Sequence, residues 1–143
     1  MIVMKKLIVT GIAILLLPIF VPTSPTEAGK IDSWVRIVQP QSGVYINGKK
    51  IMNSRSYIFI GADFVNVEVE TSSNIFTVYM AIYDIMKKDI LDGIWDYDRS
   101  DGFSYNFTGL KTGIYAVAAV GGALDIEEPV AFDWIMPVII IHA

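Results

Sequence analysis

Three aspartates and an arginine crowd into "DYDRSDG", Asp96 to Gly102, in a chain that is 53% hydrophobic. Asp96, Asp98 and Ser100 stand at alternate positions, and Asp101 follows. Oxygen ligands spaced this way in a tight turn converge on a hard cation, so the chemistry they suggest is Ca²⁺ binding. The helix–loop–helix version is excluded. Its glycine position is Asp101, with Gly102 one place late, and the place of its bidentate glutamate is taken by Phe107. A looser site needs more carboxylates. Asp125, Glu127 and Glu128 supply them if the fold brings both acidic loops to one end. These six residues are the candidate metal ligands; the competing expectation is two solvated loops that carry charge for solubility alone.

Other chemistry has little to work with. There is no cysteine, and the one histidine, His142, is next to last. That excludes thiol catalysis and leaves a zinc site short of the histidine and cysteine ligands it usually draws on. No G-x-S-x-G elbow is present, and Gly121-Gly122 reads as a turn rather than a phosphate cradle. No catalytic residue and no cofactor other than Ca²⁺ is expected, and the chain is read as not an enzyme.

The N-terminus bounds the compartment. Lys5 and Lys6 precede an apolar run from Leu7 to Leu17, which Pro18 breaks, and Thr26 and Ala28 stand at −3 and −1 of a cut. This is the three-part pattern of a secretory signal peptide over residues 1–28. The run falls short of the about 20 residues a membrane helix needs, so membrane contact is expected only during export. The mature domain, 29–143, keeps 9 of 11 basic and 14 of 15 acidic residues, a net charge of −5. An acidic domain without a basic face is not expected to bind nucleic acid. Exported and free of disulfides, it must draw its stability from its core.

The elements that must position these residues are strands. "SWVRIV" alternates and stops at Gln39-Pro40, and "GVYINGKKI" holds Asn47-Gly48, a strong hairpin signal. In "FVNVEVE", Val65, Val67 and Val69 face one way and Asn66, Glu68 and Glu70 the other. In "IFTVYMAIYD", Phe76, Val78, Met80 and Ile82 oppose Thr77, Tyr79, Ala81 and Tyr83. "DILDGIW" reads as a short edge strand, with a helix over Ile82–Ile90 as the alternative, and "FSYNFT" puts Phe103, Tyr105 and Phe107 inward. "IYAVAAV" is a strand of small residues, and Pro137 in "VAFDWIMPVIII" marks an edge or a bulge. About seven short strands at this spacing predict an all-β, antiparallel β-sandwich; a jelly roll or small barrel is the alternative.

Several of these stretches resemble the immunoglobulin-like domains of secreted and cell-surface prokaryotic proteins. "VRIVQPQSGVYING" from Val35, "VNVEVE" and "LKTGIYAVAA" from Leu110 carry the resemblance, and Tyr115 falls where that fold places its corner tyrosine. "AAVGGALDIEEP" and the long acidic link Ile85–Asp101 depart from the pattern. The resemblance implies a Greek-key sandwich and an extracellular setting, with no particular activity.

The remaining candidates are surfaces. Tyr79 and Tyr83, opposite the core side of their strand, are the expected partner face; with Trp34, Trp95, Trp134 and Tyr97 they could instead form a sugar platform. Asn106 in "NFT" is an N-glycosylation acceptor pattern that should face solvent. The functional expectation is a secreted or cell-surface domain with a non-catalytic binding or structural role, its partner a protein or a glycan at the cell surface. The alternatives are a carbohydrate-binding module and a self-assembling surface or fibre subunit, the latter suggested by the apolar strand "PVIIIHA".

Overall fold

The computed structural model describes residues 32–100, 102–124 and 126–142. The signal segment expected over 1–28 lies outside them, as do Asp101 and Asp125. The described residues are all-β, with strands β1 (Val35–Gln39), β2 (Gly43–Ile46), β3 (Lys49–Met52), β4 (Tyr57–Ile60) and β5 (Val65–Thr71). β6 (Ile75–Asp84), β7 (Asp89–Asp96), β8 (Phe103–Phe107), β9 (Gly113–Ala123) and β10 (Ala131–Ile141) follow. They form a three-stranded sheet, β1-β5-β8, and a seven-stranded sheet, β3-β2-β4-β10-β9-β6-β7. The pairing is antiparallel except for β2–β4 and β4–β10.

One hydrophobic core joins the inner faces of the two sheets. Val65, Val67 and Val69 of β5 and Phe103 and Phe107 of β8 meet Val78, Met80 and Ile82 of β6, Val117 of β9 and Val138 and Ile140 of β10. Strict alternation in β5 produces this directly, since every second side chain of a strand shares a face. Asp133 of β10 adds a polar tie: its Oδ2 accepts the Ile37 N–H of β1 at 2.8 Å, satisfying a donor at the edge of the small sheet. Tyr115 spans the core, and its hydroxyl donates to the Lys111 carbonyl at 2.6 Å, fixing the turn before β9.

The strands number ten rather than about seven. The extra ones lie in residues 43–60, where the Asn47-Gly48 turn, with φ of 51° and 84°, closes the β2–β3 hairpin and β4 docks alongside β10. No helix forms over Ile82–Ile90. β6 continues to Asp84, whose carboxylate accepts the Met86 and Lys87 N–H groups and turns the chain into β7. Phe76 is not on the core face of β6. A register shift between Ile75 and Thr77 puts Ile75 there instead. Gly121-Gly122 is not a turn, because β9 runs through both. Nor is "PVIIIHA" an edge: β10 is paired on both sides, and Pro137 sits in the register shift between Ile135 and Val138.

Candidate binding face

The registers set the outer face of β10-β9-β6-β7 as rows. Tyr79 of β6 stands between Trp95 of β7 and Val120 of β9, and Val120 stands beside Phe132 of β10. The next row reads Gly93, Ala81, Ala118, Trp134, and the one after it Ile90, Tyr83, Ala116, with Met136 in the bulge of β10. None of these side chains is charged. Tyr79 and Tyr83 therefore share one face with Trp95 and Trp134.

The rings on this face touch. Tyr79 and Trp95 have centroids 5.1 Å apart and planes at 51°, and Trp95 stacks on Tyr97 at 6.1 Å and 24°. Both arrangements are within the favourable range for aromatic pairs. Gly93 makes this possible: a Cβ there would collide with the Tyr79 hydroxyl, so the ring lies across the bare backbone of β7. Burial on this face, reinforced by the negative charge of Asp92, raises the Tyr79 pKa above its ordinary value. Tyr79 of β6 and Trp134 of β10 pack over the small residues Ala118 and Val120 of β9 and bury them, while Phe132 of β10 is 50% exposed.

The outer face of the small sheet has the opposite character. Arg36, Asn66, Glu68, Glu70, Ser104 and Asn106 are exposed along it, with Arg36 opposite Glu70 and Asn66 opposite Asn106. Trp34 belongs to this polar side, with the Arg36 guanidinium 5.4 Å from its ring centroid, so it is separated from the other two tryptophans.

The acidic loops follow the ends of β7 and β9. Asp96 pairs with Val78 and Ala123 with Ile75, so both strands end beside the start of β6 and the loops leave the same end of the sheet. The described carboxylates of the first loop are directed at its own backbone. Asp96 accepts the Asp98 N–H at 2.9 Å and the Ser104 N–H at 3.3 Å. Asp98 accepts the Ser100 N–H at 3.0 Å and the Ser100 hydroxyl at 2.5 Å, and these two bonds hold its pKa below the ordinary carboxylate value. Arg99 donates to the Ser73 and Ile75 carbonyls, placing a cation at the start of β6. Glu127 and Glu128 are exposed. Among the described residues no three His, Asp or Glu side chains gather closely enough to hold a metal ion. His142 is tied down as well: its ring Nε2–H donates to the Leu110 carbonyl at 2.6 Å.

Phe132 and Met136 are members of the aromatic face that sequence reasoning passed over. Their signal is the spacing of two in Phe132, Trp134 and Met136, obscured by Pro137. Comparison of the chain with protein-family models and with curated proteins finds no match.

Proposed function

We propose that this chain is an exported, non-catalytic recognition domain that binds a protein at or outside the cell surface through the outer face of β10-β9-β6-β7. The observation that carries the reading is the contrast between the two outer faces, one uncharged and ring-bearing, the other lined with charge. Apolar residues and aromatic rings without charge are the composition of the centre of a protein interface. A glycan reading is weaker, because a sugar site needs side-chain groups that fix hydroxyls, and the rows offer only tyrosine hydroxyls and indole N–H groups. Export rests on the residue pattern over 1–28.

The immunoglobulin-like Greek key is the finer fold proposal. In its support, the chain crosses between the sheets from β5 to β6, from β7 to β8 and from β8 to β9, while β6–β7 and β9–β10 are hairpins within the large sheet. The Tyr115 hydroxyl bonded back to Lys111, four residues upstream, fits the corner tyrosine of that fold.

Photo-crosslinking in cells that express the full chain tests the binding face. A benzophenone amino acid replacing Tyr83 is expected to capture protein, and one replacing Glu68 on the charged face is not. Capture from Glu68 alone would refute the reading. Retention of the protein on insoluble polysaccharide, lost on Trp95→Ala, would favour the glycan instead.

A further inference from the structure

Strands β4, β2 and β3 carry the large sheet past the part that β1 covers, since β1 packs on β9 and β10. Tyr45, Tyr57 and Phe59 of this wing turn inward onto the core, so the alternate residues face out. The registers set two outward rows. One reads Met52, Val44, Ile58, Ile139, Ile114, from β3 across to β9. The next reads Lys49, Ile46, Ile60, Ile141. All but Lys49 are apolar, and none carries a ring. Met52 is 58% exposed, Ile46 and Ile141 40%, and Ile114 37%; the other apolar members are half-buried. A contiguous apolar surface of this kind marks a contact site.

Charge is segregated around the wing. No carboxylate occurs from Ser33 to Ala62, a stretch that holds Lys49, Lys50 and Arg55. The rows lie at the end of the sheet where β9 begins. Ile140 pairs with Gly113 and Asp84 with Tyr115, so the turns before β9 and after β6 share that end and bring Lys111, Lys87 and Lys88 to it. These lysines, with Lys49 and Lys50, outnumber the exposed carboxylates there, Asp63 and Asp89. The acidic loops after β7 and β9 leave the opposite end, and Glu68 and Glu70 lie on the opposite outer face. A net negative domain therefore presents a basic, apolar corner. A short edge strand with lysines also resists pairing with another sheet, but that need explains neither the apolar rows nor the lysines of the other two turns. Interface hot spots favour Trp, Tyr and Arg over branched aliphatics. Aliphatic side chains rimmed by lysine suit hydrocarbon beneath anionic headgroups.

We infer that the outer face of β3-β2-β4, with Ile114, Ile139 and Ile141 beside it, docks on an anionic lipid bilayer. Its isoleucines and Met52 enter the boundary between headgroups and acyl chains, and its lysines meet the lipid phosphates. This contact is separate from export and uses none of the residues in the aromatic rows, so it stands apart from the reading of those rows as a protein-binding face.

Co-sedimentation with vesicles tests it, on the protein recovered from cells expressing the full chain. The vesicles are phosphatidylcholine alone and phosphatidylcholine mixed with phosphatidylglycerol. The expected result is binding to the mixed vesicles that weakens as salt is raised, and far weaker binding to the neutral ones. Met52→Glu and Ile46→Glu alter exposed side chains outside the core and should each weaken binding by about tenfold or more. Lys49→Glu and Arg36→Glu change the net charge equally, but Arg36 is on the outer face of the small sheet. Lys49→Glu should weaken binding by about tenfold or more and Arg36→Glu by about twofold or less. If an apolar variant fails to fold, this charge-reversal pair decides. No binding to the mixed vesicles overturns the inference, as does equal binding to both kinds or an equal loss from the two charge reversals. A benzophenone replacing Ile46 that captures a protein, from a chain that ignores vesicles, overturns the lipid in favour of a protein occupant. Vesicle binding with no capture from Tyr83 supports the bilayer contact and refutes the protein-binding reading of the aromatic rows.

Discussion

Replacing Gly121 with alanine puts one methyl group against Val35 of β1, which packs over β9 at this point. Gly121 lies on the inner face of β9, opposite Val78 of β6 and Ala131 of β10. A Cβ built there stands 2.6 Å from Val35 Cγ2 and 3.1 Å from Ile75 Cδ1. Carbon atoms in contact prefer about 3.5–4.0 Å, so Val35 must retreat by about 1 Å and take β1 with it. Overpacking of this kind costs about 1–3 kcal/mol, offset by the about 0.5–1 kcal/mol that alanine gains over glycine inside a strand. The net expectation is a loss of about 1–2 kcal/mol, or a fall in melting temperature of roughly 4–8 °C for a domain of this size. Gly122 is the control. Its Cβ would point to the outer face and meet only the Thr77 methyl, at 2.9 Å. Shifting Thr77 strains its hydroxyl bond to the Asp96 carbonyl, which cancels most of the alanine gain, so Gly122→Ala should change stability by about 0.5 kcal/mol or less. Urea unfolding monitored by circular dichroism measures both, and an unchanged m-value lets the shift in midpoint be read as a change in stability. A Gly121→Ala protein as stable as the parent, or a Gly122→Ala protein that is the worse of the two, would refute the two-faced reading of β9.

Three further outcomes follow from single contacts. Tyr115→Phe keeps the buried ring and loses the bond to Lys111; it should cost about 1 kcal/mol in urea unfolding, and no loss would mean that the hydroxyl does not hold the turn. In alkali, Tyr45, Tyr57, Tyr79 and Tyr115 all have pKa values raised above 10.0, with burial the largest cause in each. The unfolded chain therefore loses these protons first; stability is full below pH 10 and falls as the pH rises past it. Tyrosinate absorbance should rise together with unfolding, and a melting temperature flat across that range would count against it. Gly93→Ala should push the Tyr79 ring off β7 and alter the near-ultraviolet dichroism, while stability stays within about 1 kcal/mol because a lost aromatic pair is offset by the strand gain. An unchanged near-ultraviolet spectrum would show that the ring does not lie there.

The local period was legible and the tertiary reason for exceptions was not. Val65, Val67 and Val69 announce their face because alternation is a property of one strand, and Asn47-Gly48 announces its turn because both residues tolerate positive φ. A register shift breaks such reasoning in a single step: one extra residue at the start of β6 exchanges Phe76 for Ile75 in the core. Gly121 misleads for a different reason. Glycine usually marks a turn, but here it marks a close approach between β9 and β1, segments far apart in sequence.

The aromatic face shows the same division more sharply. The side of β6 that carries Tyr79 and Tyr83 follows from its own alternation. That Trp95, Phe132 and Trp134 join them follows only from the strand order, which no single segment encodes. The acidic loop shows where spacing is ambiguous in principle. Asp96, Asp98 and Ser100 recur at every second position because an oxygen two residues back can accept a backbone N–H of the turn. The same recurrence lets oxygens converge on a cation. The sequence pattern is common to both uses; in this loop the carboxylates of Asp96 and Asp98 accept the N–H groups of Asp98, Ser100 and Ser104.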